Sequence, residues 1–178
     1  MTKTPFRVLA PAAALAVLLT ACGGGDDEGI FVDEKDPSAS GLPASVTVVS
    51  PGNATLSGIY STNNVLLNNV TKQNPIGGDP ELCKFRFAGL QQQGSTGETR
   101  TMDGDFRYIP GTSQVRSGLV SINTIEFTLP GTTGVGATVD KANDRIVFQN
   151  AQFTSRTTGQ AITVNGAVPL LRDRPEGC

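Results

Sequence analysis

The chain has 178 residues, 38% hydrophobic and 17% charged, with a formal net charge of −2, three cysteines and no histidine. The lack of histidine excludes Ser-His-Asp and Cys-His nucleophile systems and His-ligated zinc. Residues 44–178 carry eleven Lys or Arg against ten Asp or Glu, so there is no basic excess of the kind that nucleic-acid binding requires.

In chain order, the first element is an apolar run from Val8 to Leu19 behind Lys3 and Arg7. As a helix it would reach roughly 18 Å, against about 30 Å of bilayer hydrocarbon, which is too short to span. A basic start, a short apolar stretch and small residues at its end are the parts of a cleaved signal peptide, here residues 1–21. The run closes on Leu19-Thr20-Ala21-Cys22. These four residues fit the pattern [LVI]-[ASTVI]-[GAS]-Cys at every position, and over its first 22 residues the chain resembles a bacterial lipoprotein. The resemblance implies acylation of Cys22, palmitate included. With Gly23 in place of Asp, it also implies anchoring at the outer membrane facing the periplasm, the cell surface being the alternative. Two or three acyl chains on one cysteine hold a protein at a membrane stably, whereas a single chain does so only marginally. An ordinary secretory leader cut after Ala21 would leave Cys22 free.

Residues 22–43 form an acidic, Gly-rich stretch in which Asp26, Asp27, Glu28, Asp33, Glu34 and Asp36 face only Lys35. Apolar residues are too few to offset ordering entropy, so a disordered tether is predicted. Residues 44–178 have the length of a single domain. If Cys22 is acylated, Cys83 and Cys178 remain as an even pair, and in an oxidising compartment they are expected to form a disulfide. An intermolecular bridge or two free thiols are the other options.

Within the domain, apolar residues recur every second position in short runs separated by Gly, Pro, Asn and Ser, the period of β-strands. Strands are predicted near Ser45–Val49, Ala54–Tyr60, Val65–Val70, Cys83–Leu90, Gly104–Ile109, Gly118–Leu129, Ala137–Asp140, Arg145–Phe153 and Ala161–Leu170. Asp79-Pro80-Glu81 can open one short helical turn. Type II turns are expected at Pro51-Gly52, Pro110-Gly111 and Pro130-Gly131. The apolar phase slips at Asn123-Thr124 and at Gln149-Asn150, where bulges would restore the register. The pattern predicts an all-β domain of about nine strands, an antiparallel β-sandwich, with a closed β-barrel as the alternative.

Chemistry-bearing residues are sparse. Lys84-Phe85-Arg86-Phe87 and Asp105-Phe106-Arg107-Tyr108 each alternate charge with an aromatic. Their aromatics should face the core. Lys84, Arg86 and Arg107 should form with Asp105 either a solvated ladder of cross-strand ion pairs or a patch for an anionic partner. Asp103 and Asp105, about 6.6 Å apart at strand spacing, are a candidate acidic pair for hydrolysis or calcium, or else a turn entering a strand. Asp140, Asn143 and Asp144 lack the spacing of a calcium loop. No metal ligand set and no cofactor motif stands out. The expected role is that of a membrane-tethered envelope protein that binds another protein or a glycan and is not an enzyme. A carboxylate-dependent hydrolase and a small-ligand carrier are the alternatives.

Overall fold

A computed structural model describes residues 38–75, 77, 80–130 and 135–178. The leader, the lipobox and most of the acidic stretch lie outside the described residues, as do Asp79 and Gly131. Pro80 and Glu81 run into the following strand without a helical turn.

The strands are β1 (Ser38–Ala39), β2 (Ala44–Val49), β3 (Gly58–Thr62), β4 (Leu66–Leu67), β5 (Thr71–Gln73), β6 (Leu82–Gln92), β7 (Thr101–Tyr108), β8 (Val115–Ile122), β9 (Ile125–Thr128), β10 (Ala137–Asp140), β11 (Arg145–Thr154) and β12 (Ala161–Pro169). All pairings are antiparallel. Following them, β6-β3-β2-β12-β11-β9-β8-β7 returns to β6, so the sheet closes into an eight-stranded barrel. The all-β class is as predicted, and the arrangement is the closed barrel in place of the sandwich. Closure is completed at β9–β11, where Thr128 pairs with Thr154 and the Thr128 hydroxyl donates to the Thr154 carbonyl at 3.2 Å. A sequence pattern of period two is common to both architectures, because each buries one face of every strand.

The core is a filled barrel. Phe85, Phe87, Phe106, Phe148 and Phe153 form a chain of ring contacts with centroids 5.4–6.3 Å apart. Val46, Tyr60, Leu90, Met102, Ile122, Phe127, Ile146 and Val164 are among the residues packed with them. Glycine makes the room. Phe87 lies opposite Gly104 and Phe106 opposite Gly118, and a Cβ on either glycine would come within 2.3 Å or 2.6 Å of those rings. Outward positions such as Ser45, Thr47, Gln149 and Gln152 are polar and exposed. This is the reverse of the alternation on a barrel whose outside meets lipid.

Both ends are capped. At one, Leu56 of a 3₁₀ turn (Ala54–Leu56) is buried, its carbonyl accepting from the Tyr60 hydroxyl at 2.9 Å. Gln92 Nε2 clamps the same loop by donating to the Thr55 and Ser57 carbonyls. At the other end the C-terminal tail is fastened by the Cys83–Cys178 disulfide, by Tyr108 donating to the Cys178 carbonyl at 2.8 Å, and by Gly111 N–H donating to Gly177. The expected pairing of the two cysteines within one chain is thus the one observed.

Several local expectations change. Asn123-Thr124 is a two-residue hairpin turn between paired Ile122 and Ile125, not a bulge, because Asn123 takes a left-handed φ of 54° that asparagine tolerates. The bulge at Gln149-Asn150 is present, between Phe148 and Ala151, with Asn150 at φ 52°. Ile109-Pro110-Gly111-Thr112 is the expected turn, with Gly111 at φ 75°. Ser50-Pro51-Gly52-Asn53 also turns, but without positive φ at Gly52. The predicted strand Ala54–Tyr60 divides because Asn53 caps the 3₁₀ turn, accepting from Thr55 N–H. Val65–Val70 yields only the short β4, with β5 starting at Thr71. Ser38–Leu42, assigned from composition to the tether, already belongs to the folded unit: β1 pairs with β4, and Ser40 and Leu42 bond to Val65.

Candidate functional site

β6 and β7 pair over most of their length and set Lys84 opposite Arg107, Phe85 opposite Phe106 and Arg86 opposite Asp105. Paired residues share a face, so the aromatics enter the barrel and the four charged side chains stand together on its outside. The sequence places these residues correctly but not their environment. Lys84, Arg86 and Asp105 are only 7–8% exposed, so the expected solvated ladder is a nearly buried one.

Arg86 Nε donates to Asp105 Oδ2 at 3.0 Å. Arg107 stands next to Lys84, an unfavourable like-charge neighbour, and its Nε donates to Gln73 Oε1 on β5 at 3.1 Å. The other carboxylate oxygen of Asp105, Oδ1, is buried and has no hydrogen-bond partner among the described residues. A buried acceptor without a donor costs on the order of 1–3 kcal/mol, more for a charged group.

A shallow groove of about 220 Å³ opens beside it, lined by Asp105, Arg107, Ser117, Gly118, Leu119, Thr128, Leu129 and Arg156. Sequence reasoning missed Ser117, Thr128 and Arg156. They come from β8, β9 and the β11–β12 loop, and only barrel closure brings that loop beside β7. Arg156 is exposed. The groove therefore combines two guanidinium groups, one carboxylate and two hydroxyls.

Asp103 sits two residues from Asp105 on the same face, but its Oδ1 accepts from Gly89 N–H at 2.8 Å, at the bulge of β6. Burial raises the Asp103 pKa above the ordinary carboxylate value, and the Gly89 hydrogen bond pulls it back in part. Each carboxylate of the candidate acidic pair is thus engaged by its own partner. At the β10–β11 hairpin, Asp140 accepts from Asn143 and from Arg145, with the Asn143 bond as the main cause of its lowered pKa. Asp144 pairs with Arg174 at 2.7 Å and Arg172 at 3.7 Å. Among the described residues, no cluster of three metal-ligating side chains occurs.

No protein family, curated protein or solved structure matches this chain. Function has to be read from the residues themselves.

Proposed function

We propose that the protein is a lipid-anchored component of a bacterial cell envelope, whose barrel binds a neighbouring envelope protein or glycan through the outer face of β6–β9 and performs no catalysis. Anchoring rests on Leu19-Thr20-Ala21-Cys22. Binding rests on one observation above the rest, a groove on the outside of β7–β9 that gathers the guanidinium groups of Arg107 and Arg156, the hydroxyls of Ser117 and Thr128 and the carboxylate of Asp105. A ligand carrying an anionic or carbonyl oxygen would meet guanidinium donors in the groove, exposed Arg156 among them.

The other readings have less support. A hydrolase needs two carboxylates turned to one bond, and Asp105 is held by Arg86 while Asp103 is held by the Gly89 amide. A carrier needs an empty interior, and the Phe chain occupies the barrel centre.

Two measurements test this reading. Intact mass of protein from its native host should show diacylglycerol on Cys22, and Cys22→Ser should move the protein to the soluble fraction. Retention of an uncleaved leader would refute the anchor. In a pull-down from envelope extract, the Cys22→Ser chain should retain a partner that the Arg107→Ala/Arg156→Ala variant binds at least about tenfold less, a loss of roughly 1.4 kcal/mol. Equal capture by both, or none by either, would refute the site.

A further inference from the structure

Lys84, Arg86 and Asp105 are the buried charged residues among those described, and all three stand on the outside of the barrel. Asn68, also buried, lies beside them, its N–H donating to the Arg86 carbonyl at 3.2 Å. Charged side chains elsewhere on the outer surface, such as Glu126, Arg145 and Arg156, are exposed. A lysine or arginine is rarely withdrawn from water, and then only with opposite charge or hydrogen bonds to meet it. None of Lys84, Arg86 and Arg107 is without an interaction. The patch is nevertheless net positive, since these three cations face only Asp103 and Asp105 across β6 and β7.

The chain enters the barrel next to this patch. β1 pairs with β4 and β4 with β6, so Ser38 lies opposite Leu67 and Leu67 opposite Phe87, two strand spacings or about 10 Å in all. β1 is antiparallel to β4, so the residues ahead of Ser38 arrive from the side of Asn68. On β6 the same direction leads from Phe87 to Arg86 and Lys84. The residues that arrive there are Asp33-Glu34-Lys35-Asp36-Pro37, the end of the acidic stretch. Five residues reach up to roughly 17 Å, which covers the distance.

We infer that residues 33–36 dock on the outer face of β6 and β7, the carboxylates of Asp33, Glu34 and Asp36 set against Lys84, Arg86 and Arg107. Charge selects this occupant, and so does attachment. An anionic partner from solution meets the same cations but must first give up its translational freedom, whereas the segment is already held beside them by β1. The acidic stretch is thereby divided: its last residues belong to the barrel, and Asp26, Asp27 and Glu28 do not. Lys84 and Arg86 do not line the groove at Arg156, and Arg107 is common to both, so the inference holds whether or not that groove takes a partner.

Hydrogen exchange and lysine acetylation, both read by mass spectrometry on the full chain carrying Cys22→Ser, test it. The amides of residues 33–36 should exchange at least about tenfold more slowly than in a free peptide of the same sequence. Asp33→Asn/Glu34→Gln/Asp36→Asn should bring them to the peptide rate and let acetic anhydride modify Lys84 several-fold faster. The three substitutions lie ahead of β1, so the circular dichroism spectrum should not change. Asp26→Asn/Asp27→Asn/Glu28→Gln should behave as the parent in both measurements. Exchange at the peptide rate in the parent would overturn the inference. So would Lys84 acetylation equally slow in the 33–36 variant, which would assign the cover to the barrel itself or to another molecule. Loss of protection in the 26–28 variant alone would do the same, by placing the contact on the wrong part of the stretch.

Discussion

At the scale of single residues, the interior depends on what is missing at two positions. Gly104 and Gly118 leave their neighbours' strands free to lay Phe87 and Phe106 flat across them. Both rings are nearly or fully buried and hold further rings in turn, so they have nowhere to move. Gly104→Ala, although a gain of a single methyl, is therefore expected to cost about 1–3 kcal/mol, the range of overpacked cores. Urea unfolding checks this, and a variant as stable as the parent would show that the ring layer can slide. Asp105 illustrates the opposite case, a side chain whose local pattern is easily read and whose burial is not. The alternation in Asp105-Phe106-Arg107-Tyr108 identifies which way it points. It carries no information on how far the carboxylate is withdrawn from water.

At the scale of elements, β6 and β7 were the most legible pair, because each repeats charge and aromatic at the period of a strand and the two repeats match in antiparallel register. The bulge at Asn150 was legible for a related reason: an apolar phase that slips by one residue must be corrected by an extra residue. The same slip at Asn123 was resolved differently, since a two-residue turn and a bulge both restore alternation and the sequence does not separate them. The C-terminal tail is the element that sequence reasoning judged through its cysteine alone. In the structure it is held by several further bonds, among them the Arg174–Asp144 ion pair and Lys141 donating to the Gly177 carbonyl. Tyr108 is buried against this tail, and burial raises its phenol to a pKa of about 12 from an ordinary value of 10.0, with Arg174 opposing in part. The unfolded chain thus ionises this phenol first as the pH rises. Stability is fully present below pH 10 and falls through the window up to about pH 12, by roughly 1.4 kcal/mol per pH unit for this group. Tyr108→Phe should flatten that decline without abolishing it, because burial also raises Tyr60. Unfolding free energies measured between pH 8 and pH 12 would decide, and an equal slope in the variant would show that the phenol ionises alike in both states.

At the scale of the whole molecule, closure removes the exposed edges that make isolated sheets aggregate, and the disulfide joins the first strand of the charged ribbon to the last residue of the chain. The bridge spans a sequence separation of 95 residues. On the chain-entropy argument its removal should cost between about 2 and 5 kcal/mol. Cys83→Ala/Cys178→Ala is accordingly expected to unfold at lower urea and to lose its last residues to carboxypeptidase, while the intact protein resists trimming. A double variant with parental stability and an uncut tail would mean that hydrogen bonds alone fasten the end.

The amino-acid sequence by itself determined the β class, the inward aromatic stripe and the order of most strands, and it made a Cys83–Cys178 bridge the expected one if Cys22 is set aside, with an intermolecular bridge or free thiols left for the structure to decide. Each of these follows from local periodicity or from counting. Tertiary structure decided that the sheet closes on itself and that Arg86 and Asp105 are withdrawn from water. It also brought Arg156 beside β7. A strand's alternation records only which face is buried. Closure, cover and neighbourhood arise from contacts between residues far apart in the chain, whose energies depend on the whole ring of strands being assembled.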